Sequence, residues 1–265
     1  MKKTISLILC VLMLVSAFST GLTAYAQETA ELFEESTVSV TFVGDVTGLP
    51  AVLKVTPGTE IDITDYYDGV ASNVAGLNFN GWSTTGKFED LIVKKFKVEK
   101  NTTLYAEVSS NINFAVQARG TGMNSWGVHN GSAEIDDEKQ GLVVTATGSA
   151  PYVYRSSKPY SIPAAKYARA YVYVDAEYGS DTLNFSKVGN SLQYFFFSPD
   201  TNYSRAVTGT VIGIIENQGR KIAVVECPLY SSSSWAGTIG GFRIDAWEEQ
   251  GDWIIYGVQF AEAEP

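Results

Sequence analysis

The densest acidic cluster of this sequence is the run from Glu134 to Glu138. Alternate residues of a strand share one face, so Glu134, Asp136 and Glu138 would line up there. A retaining glycosidase needs such a pair, with its two carboxyl groups about 5 Å apart. However, the run continues into Lys139-Gln140-Gly141, which is typical of an exposed turn. We interpret these carboxylates as a solvated turn and expect no catalytic residue.

Histidine and cysteine chemistry is sparse in this chain. His129 is the sole histidine, and neither neighbouring serine lies in a strained nucleophile turn. A zinc site would lack a set of His and Cys ligands. We therefore interpret His129 as a loop residue and expect no cofactor. A structural calcium ion held by Asp136, Asp137 or Asp245 is left open, since no spacing of carboxylates is diagnostic.

Aromatic side chains remain as candidate ligand contacts. Sugars pack their C–H faces on tyrosine and tryptophan rings while polar neighbours bind the hydroxyl groups. The candidates lie in polar or acidic turns, or share one face of a predicted strand. We predict five exposed contacts: Trp126, Tyr171, Tyr173, Tyr203 and Trp247. A half-buried ring that only covers the protein is the alternative for each of them.

The N-terminus has the pattern of a secretory signal peptide. Lys2 and Lys3 precede an uncharged run, and Ala24-Tyr25-Ala26 supplies a small-x-small cleavage site. The apolar run is too short to span a membrane comfortably. We predict cleavage after residue 26, no membrane span afterwards, and a protein that is secreted or held at the cell surface.

The charge and cysteine content exclude several classes of protein. Removing residues 1–26 takes away two of the 19 basic residues and none of the 29 acidic ones, which leaves a formal charge of −12. A nucleic-acid partner is not expected, because such binding needs a basic surface. The remaining cysteine, Cys227, excludes an intrachain disulfide, so the protein must be stabilised by its own core.

The spacing of apolar residues predicts a mainly β chain with two modules. After an acidic linker, residues 27–37, five short strands fall in residues 38–109, and eight to ten strands in residues 110–265, with no credible long helix. The apolar run Leu192 to Phe197 predicts a strand buried on both faces. Two further strands, joined by an acidic turn, are predicted between Trp235 and Phe260. Trp235 and Trp253 are assigned to the core.

The first module resembles the Listeria–Bacteroides repeat, the internalin B-repeat family of bacterial surface proteins. The matching pieces are Val40-Thr41-Phe42, Phe79-Asn80-Gly81-Trp82 and Thr103-Leu104-Tyr105-Ala106. The resemblance implies a small β-grasp-like module that acts as a spacer or contacts a protein, and it implies that Trp82 packs inward. The sequence departs from the family at Val108, where an aromatic residue is usual.

The second module is similar to galactose-binding-like jelly-roll modules of bacterial glycoside hydrolases and surface proteins. The matching pieces are Leu142 to Gly148, Pro151-Tyr152, Ile162-Pro163-Ala164, Tyr194-Phe195-Phe196, and Trp235 to Ile239 followed by Phe242 to Asp245. The resemblance implies a β-sandwich that binds carbohydrate. Ala150 and Tyr256 stand where carboxylates are common in the family, so a function that needs those carboxylates is not expected.

These patterns together predict a secreted, non-catalytic bacterial surface protein. Its sandwich would bind a polysaccharide or cell-wall glycan through exposed aromatic rings, and its B-repeat-like module would serve as a spacer or contact a protein partner. The first alternative is a structural or adhesive surface protein without a sugar site, as the N-terminal part of a larger protein. The second is a secreted glycan-cleaving enzyme that uses Glu134 and Glu138.

Overall fold

The computed structural model describes residues 36–91, 94–121, 126–155, 160–176, 192–197, 206–217, 219–245 and 251–262. Strands dominate these residues, so the mainly β prediction is confirmed. The predicted signal peptide, nearly all of the linker, Tyr203, Trp247 and the acidic turn after Asp245 lie outside the described residues. Within the described part of the chain, no helix has the length and apolar composition needed to cross a membrane.

Residues 36–109 contain short strands and two 3₁₀ turns, η1 (Ile63–Tyr66) and η2 (Phe88–Asp90). The strands are β1 (Val38–Val43), β2 (Val46–Thr47), β3 (Leu53–Val55), β4 (Thr59–Asp62), β5 (Ala71–Ser72), β6 (Asn78–Ser83), β7 (Lys95–Val98) and β8 (Thr102–Ser109). Four of them form a sheet in the order β3-β1-β8-β6, which we call the N-terminal sheet. Its central pair β1 and β8 is parallel and the outer pairs are antiparallel, a β-grasp-like arrangement.

Trp82 is the centre of the core beneath the N-terminal sheet. Its side chain is fully buried, its indole Nε1 donates a hydrogen bond to the Tyr66 carbonyl at 2.9 Å, and its ring packs edge-on against Phe42 and Phe79. The preceding Gly81 has a φ of 123°, a backbone region that favours glycine, and the register of β6 against β8 shifts at this point. The predicted inward packing of Trp82 is therefore confirmed.

Residues 110–262 contain a short helix, further strands and a 3₁₀ turn. The strands are β9 (Ile112–Asn113), β10 (Trp126–His129), β11 (Gly131–Asp136), β12 (Gly141–Ala146), β13 (Tyr152–Arg155), β14 (Ile162–Pro163), β15 (Tyr167–Asp175), β16 (Gln193–Phe197), β17 (Ala206–Thr208), β18 (Thr210–Asn217), β19 (Arg220–Cys227), β20 (Thr238–Ile239), β21 (Gly241–Asp245) and β22 (Gly251–Glu262). The helix α1 spans Phe114–Thr121 and the turn η3 spans Leu229–Ser231.

Two antiparallel sheets form the predicted jelly-roll sandwich. The five-stranded sheet has the order β10-β13-β21-β16-β17, and the seven-stranded sheet has the order β11-β12-β22-β15-β19-β18 with β9 beside β22. The two predicted strands near the C-terminus, β21 and β22, therefore belong to different sheets. Buried side chains between the sheets include Trp253, Phe242, Tyr194 and Cys227. Trp235 packs half-buried against this core, and its indole Nε1 donates to the Tyr167 carbonyl at 2.7 Å.

The turn η2 and the residue after it meet the sandwich at the outer side of the seven-stranded sheet. Phe88 and Leu91 pack on a buried cluster that includes Tyr173 and Tyr256. The helix α1 contributes to both units, because Val116 joins the core of the N-terminal sheet while Phe114 joins the core of the sandwich. The outer side of the seven-stranded sheet is therefore partly covered.

A buried hydrogen-bond network supports the same junction. The carboxylate of Glu107 accepts from Asn80 Nδ2 at 2.7 Å and from Asn111 Nδ2 at 3.1 Å. Asn80 Oδ1 accepts from the Asn113 backbone N–H at 2.9 Å, and Asn111 Oδ1 accepts from the Phe260 backbone N–H at 2.8 Å. Because each amide oxygen already has a donor, both amides are fixed in orientation with their NH₂ groups toward Glu107.

Candidate functional site

The outer face of the five-stranded sheet, which we call the front face, begins with strand β21. Phe242 and Ile244 are fully buried between the two sheets. Successive side chains of a strand point to opposite faces, so Arg243 and Asp245 lie on the outer side, where both are half-buried. The strand thus places a cation and a carboxylate two residues apart on one outward surface.

The strands on both sides of β21 add aromatic rings to the front face. On β13 Val153 is buried, so Tyr152 and Tyr154 point outward and are half-buried. On β16 Phe195 also points outward, and the sheet register places Arg243 beside both Tyr154 and Phe195. The front face therefore carries rings on both sides of one central cation.

These side chains form a continuous stacked layer. The guanidinium carbon of Arg243 lies 3.5 Å from the centre of the Tyr152 ring and 4.4 Å from the centre of the Phe195 ring. The His129 ring stacks on Tyr152 with a centroid distance of 4.7 Å and an interplanar angle of 15°. The layer of His129, Tyr152, Arg243 and Phe195 thus draws on β10, β13, β21 and β16, and its rings are held by cation–π and stacking contacts.

Asp245 holds the central cation in place. Arg243 Nε donates to Asp245 Oδ1 at 2.6 Å, and Arg243 Nη2 donates to Asp245 Oδ2, which makes a two-pronged ion pair. Burial raises the pKa of the Asp245 carboxyl, and the hydrogen bond and charge of Arg243 act in the opposite direction. The two charges compensate each other, so the pair offers hydrogen-bonding atoms to a ligand without a net charge.

A glycine makes room for the outermost ring. A Cβ atom built on Gly127 of β10 would lie 2.2 Å from Cζ and 2.6 Å from the hydroxyl oxygen of Tyr154. Since real Cβ atoms do not approach so closely, the Tyr154 ring occupies the space that any other residue at 127 would fill. Gly127 therefore lets Tyr154 lie across β10 and extend the aromatic layer.

Trp126 does not belong to this face, which corrects the predicted exposed position. It is the first residue of β10, only 7% exposed, and its side chain lies between the sheets. Its ring packs edge-on against Phe114 at 4.9 Å and Phe242 at 6.2 Å, and the Arg155 guanidinium lies 5.1 Å from its centre. A ring packed in this way has no free face for a sugar, so Trp126 is a core residue.

Tyr171 and Tyr173 share one face of β15, but that face is the outer side of the seven-stranded sheet. Tyr173 is only 7% exposed, because Phe88 covers it with a ring separation of 5.6 Å, and its hydroxyl group donates to Gln259. The prediction of an exposed contact is therefore wrong for Tyr173. Tyr171 is half-buried on the same side. Tyr203 and Trp247 lie outside the described residues and stay predictions.

Two side chains of the front face carry readable signals in the sequence, and a third does not. Arg243 and Asp245 alternate with the buried Phe242 and Ile244, which places them on the outer side of the sheet. His129 lies on strand β10 rather than in the expected loop, and its position shows only when β10 pairs with β13, with His129 opposite Tyr152.

The predicted burial of both faces of residues 192–197 is wrong. Phe195 and Phe197 are half-buried on the outer side, while Tyr194 and Phe196 are buried on the inner side. The sequence does not distinguish an apolar side chain on the outer side of a sheet from one in the core. The apolar composition of this run therefore suggested two buried faces.

The acidic run is used by a turn and by ion pairs. Asp136 Oδ1 accepts from the backbone N–H groups of Glu138 at 3.0 Å and Lys139 at 2.8 Å, so it caps the turn after β11. Glu138 pairs with Lys94 at 2.7 Å, and Asp137 pairs with Arg119. Among the described residues, no three His, Cys, Asp or Glu side chains cluster closely enough to hold a metal ion.

Comparisons with known proteins give distant structural likenesses only. No protein-family model matches the chain, and no curated protein matches it. Among solved structures, it is similar to a family 11 carbohydrate-binding module from Clostridium thermocellum in complex with a β-1,3-1,4-mixed-linked tetrasaccharide. That match has 14% identity and a TM-score of 0.32, and it covers 52% of this chain and 89% of that chain.

Two further solved structures show similar low likeness. TmCBM27, a carbohydrate-binding module described for specific mannan recognition, has 11% identity and a TM-score of 0.32, with 58% of this chain and 96% of that chain covered. A structure on promiscuous specificity in carbohydrate-binding modules of the β-sandwich superfamily has 8% identity and a TM-score of 0.29, with 73% and 89% covered. At these values the function must be argued from the side chains of this chain.

Proposed function

We propose that the front face binds an uncharged polysaccharide and that the protein is a non-catalytic carbohydrate-binding protein. The observation that carries this proposal is the half-exposed layer in which Arg243 is stacked between Tyr152 and Phe195 and is paired with Asp245. Sugar rings present C–H groups that pack on such aromatic surfaces, and their hydroxyl groups bond to neighbouring charged or polar atoms.

The charge of the protein favours an uncharged glycan over an acidic one. The formal net charge of the chain is −10, so an acidic polymer would be repelled. The cation at the centre of the front face is Arg243, and its charge is compensated by Asp245 at hydrogen-bond distance. Sugar hydroxyl groups can hydrogen-bond to both Arg243 and Asp245 while the ion pair stays intact. A carboxylated or sulfated sugar would instead separate Arg243 from Asp245.

The same proposal includes export of the protein and its division into two modules. The sequence pattern of residues 1–26 supports export, which agrees with a ligand found outside the cell. Residues 38–109 and 110–265 are proposed as two modules, the first a spacer or a contact for a protein partner. Its contacts lie on the outer side of the seven-stranded sheet, so it leaves the front face on the opposite side open to a polymer.

A structural or adhesive role is the second candidate, and one observation favours it. Strand β18 is at the edge of the seven-stranded sheet and exposes Ile212 and Ile214, each 55% accessible. Open edge strands with apolar side chains are surfaces on which another protein can pair. In this reading the front face would carry no ligand.

Retention on a panel of immobilised polysaccharides separates the two candidates. The chain from residue 27 onward should be retarded by at least one uncharged polysaccharide. Tyr152→Ala, which removes the ring stacked on Arg243, should weaken that retention about tenfold or more, a loss of at least about 1.4 kcal/mol. Tyr105→Ala is the matched control, because Tyr105 is a 43% exposed ring on the N-terminal sheet.

The outcomes are clear for each candidate. Retention that Tyr152→Ala weakens and Tyr105→Ala preserves supports the front face. A folded chain that no polysaccharide retains, or equal retention of both variants, overturns the proposal. Repeating the experiment with a chelator tests the calcium ion that the sequence leaves open, since a loss of retention would reveal a required ion.

A further inference from the structure

We propose that the protein has a second glycan-binding surface, on the opposite side of the sandwich, formed by Arg169, Tyr171, Glu226 and Tyr230. We call it the back site. It rests on the proposed function, because it would take the same class of ligand, an uncharged sugar chain. It differs from the front face in position, because three of its four residues lie on β15 and β19 of the seven-stranded sheet.

Tyr230 is the exposed ring of the back site. It is 63% exposed, although its turn η3 is firmly anchored. The preceding Leu229 is fully buried, and both the backbone N–H and the hydroxyl group of Ser231 donate to the Pro228 carbonyl, at 3.1 Å and 2.7 Å. A large ring held in water on an ordered turn is a surface on which a sugar can stack at little entropic cost.

Arg169 joins this ring to a carboxylate. Its guanidinium carbon lies 5.5 Å from the centre of the Tyr230 ring, and its Nε lies 3.4 Å from Glu226 Oε1. The side chains of Arg169 and Glu226 are 29% and 28% exposed, so their polar atoms remain accessible. The back site thus repeats the combination of the front face, an aromatic ring beside an arginine that a carboxylate neutralises.

Tyr171 extends the back site along the sheet. It lies two residues after Arg169 on β15, on the same face, and is in register with Glu226 of β19 and Gln259 of β22. The turn η2 ends beside it, because Phe88 covers Tyr173, and Gln259 Nε2 lies 3.4 Å from Glu89 Oε2. The half-exposed Tyr171 is therefore the last ring of this strand face that the turn η2 leaves open.

Charge and polarity favour a sugar over a protein at this position. A specific protein interface buries about 800 Å² on each partner, whereas the back site consists of four side chains, with ion-paired polar atoms between two tyrosines. The ion pair leaves no net charge, as on the front face, which suits the same uncharged ligand. Two surfaces on opposite sides of one sandwich would let a single molecule bind two sugar chains, and retention on a dense polysaccharide would gain from both.

The test is a calorimetric titration of the chain from residue 27 onward with an oligosaccharide of the polysaccharide that retains it. The expected stoichiometry is two ligands per chain. Tyr152→Ala and Tyr230→Ala should each reduce it to one, and the double variant should bind none. Tyr230→Phe, which keeps the ring, is the matched control and should still bind two. Because Tyr230 is exposed, its removal should not unfold the protein.

The outcomes separate the two proposals. A stoichiometry of one that Tyr152→Ala abolishes and Tyr230→Ala leaves unchanged overturns the back site and keeps the front face. A stoichiometry of one that only Tyr230→Ala abolishes overturns the front face instead. A folded chain that binds no oligosaccharide contradicts both.

Discussion

The two outer sides of the sandwich carry similar residues in different surroundings. Tyr152 and Tyr154 share the outer face of β13, separated by one buried residue. Tyr171 and Tyr173 share the outer face of β15 in the same way. On β13 both rings remain half-exposed, whereas on β15 Phe88 of the turn η2 covers Tyr173. Alternation along a strand therefore shows which side chains share a face, but the packing of a distant segment decides whether that face meets a ligand or a core.

Removing the covering ring should have the largest effect on stability. Phe88 is 8% exposed and packs on Tyr173, so Phe88→Ala leaves a cavity at the junction and should lower the free energy of unfolding by about 3 kcal/mol. Denaturant unfolding measures this loss. Leu49→Ala, at a 46% exposed side chain, is the control and should be nearly neutral. A loss below about 1 kcal/mol for Phe88→Ala would show that the turn η2 does not cover this face.

The buried hydrogen-bond network around Glu107 should lose stability when one carboxylate oxygen is replaced by an NH₂ group. Glu107→Gln turns an acceptor into an NH₂ group that must face the NH₂ of Asn80 or Asn111, and neither amide can turn over without losing a backbone donor. We expect a loss of about 2 kcal/mol in the free energy of unfolding, because buried donors lose their partner. An Asn80→Asp change in the Gln variant restores an acceptor and should recover part of the loss. A neutral Glu107→Gln variant would contradict the network.

The front face should be sensitive to a methyl group. In Gly127→Ala the new Cβ displaces the Tyr154 ring, so affinity for the polysaccharide should fall about three- to tenfold while stability changes by less than about 1 kcal/mol. Gly213→Ala is the matched control, because a Cβ built on Gly213 has no neighbour within 4 Å. Affinity gels and thermal unfolding measure both quantities. Equal affinity in the two variants would show that Tyr154 takes no part in binding the polysaccharide.

An effect of similar size, on stability alone, is expected for Trp126, which the structure places in the core and not on the surface. Trp126→Phe keeps a ring between Phe114 and Phe242 but leaves part of the space empty, so we expect a loss of about 1 kcal/mol in the free energy of unfolding. Binding to polysaccharide should stay as in the unchanged protein. A loss of binding without a loss of stability would show that Trp126 contacts the ligand.

The sequence predicted the layers of the fold better than the site. Apolar runs and period-two patterns located β12, β13, β15, β21 and β22, and the assignment of Trp253 to the core is confirmed. The inward position of Trp82 was implied by the resemblance of its local motif to the B-repeat family. These features depend on residues close in the chain. The predicted core positions therefore needed no knowledge of the sheet order.

The site depends on contacts that join distant segments. His129 reaches Tyr152 through the pairing of β10 with β13, and Tyr152 and Phe195 meet on Arg243 because β13 and β16 both pair with β21. Trp126 was misplaced for the same reason, since its polar neighbours in sequence suggested a loop while its partners Phe114 and Phe242 come from other elements. Sheet order, which no local pattern contains, is the missing information.

The most direct test of the account is to locate a bound oligosaccharide by NMR. Backbone amide shifts of the isotope-labelled chain from residue 27 onward would be followed as the sugar is added. A sugar bound at the front face should change the shifts on β13, β16 and β21, centred on Tyr152, Phe195 and Arg243, and should change none on the N-terminal sheet around Tyr105. Shift changes confined to the N-terminal sheet or to the edge strand β18 would contradict it.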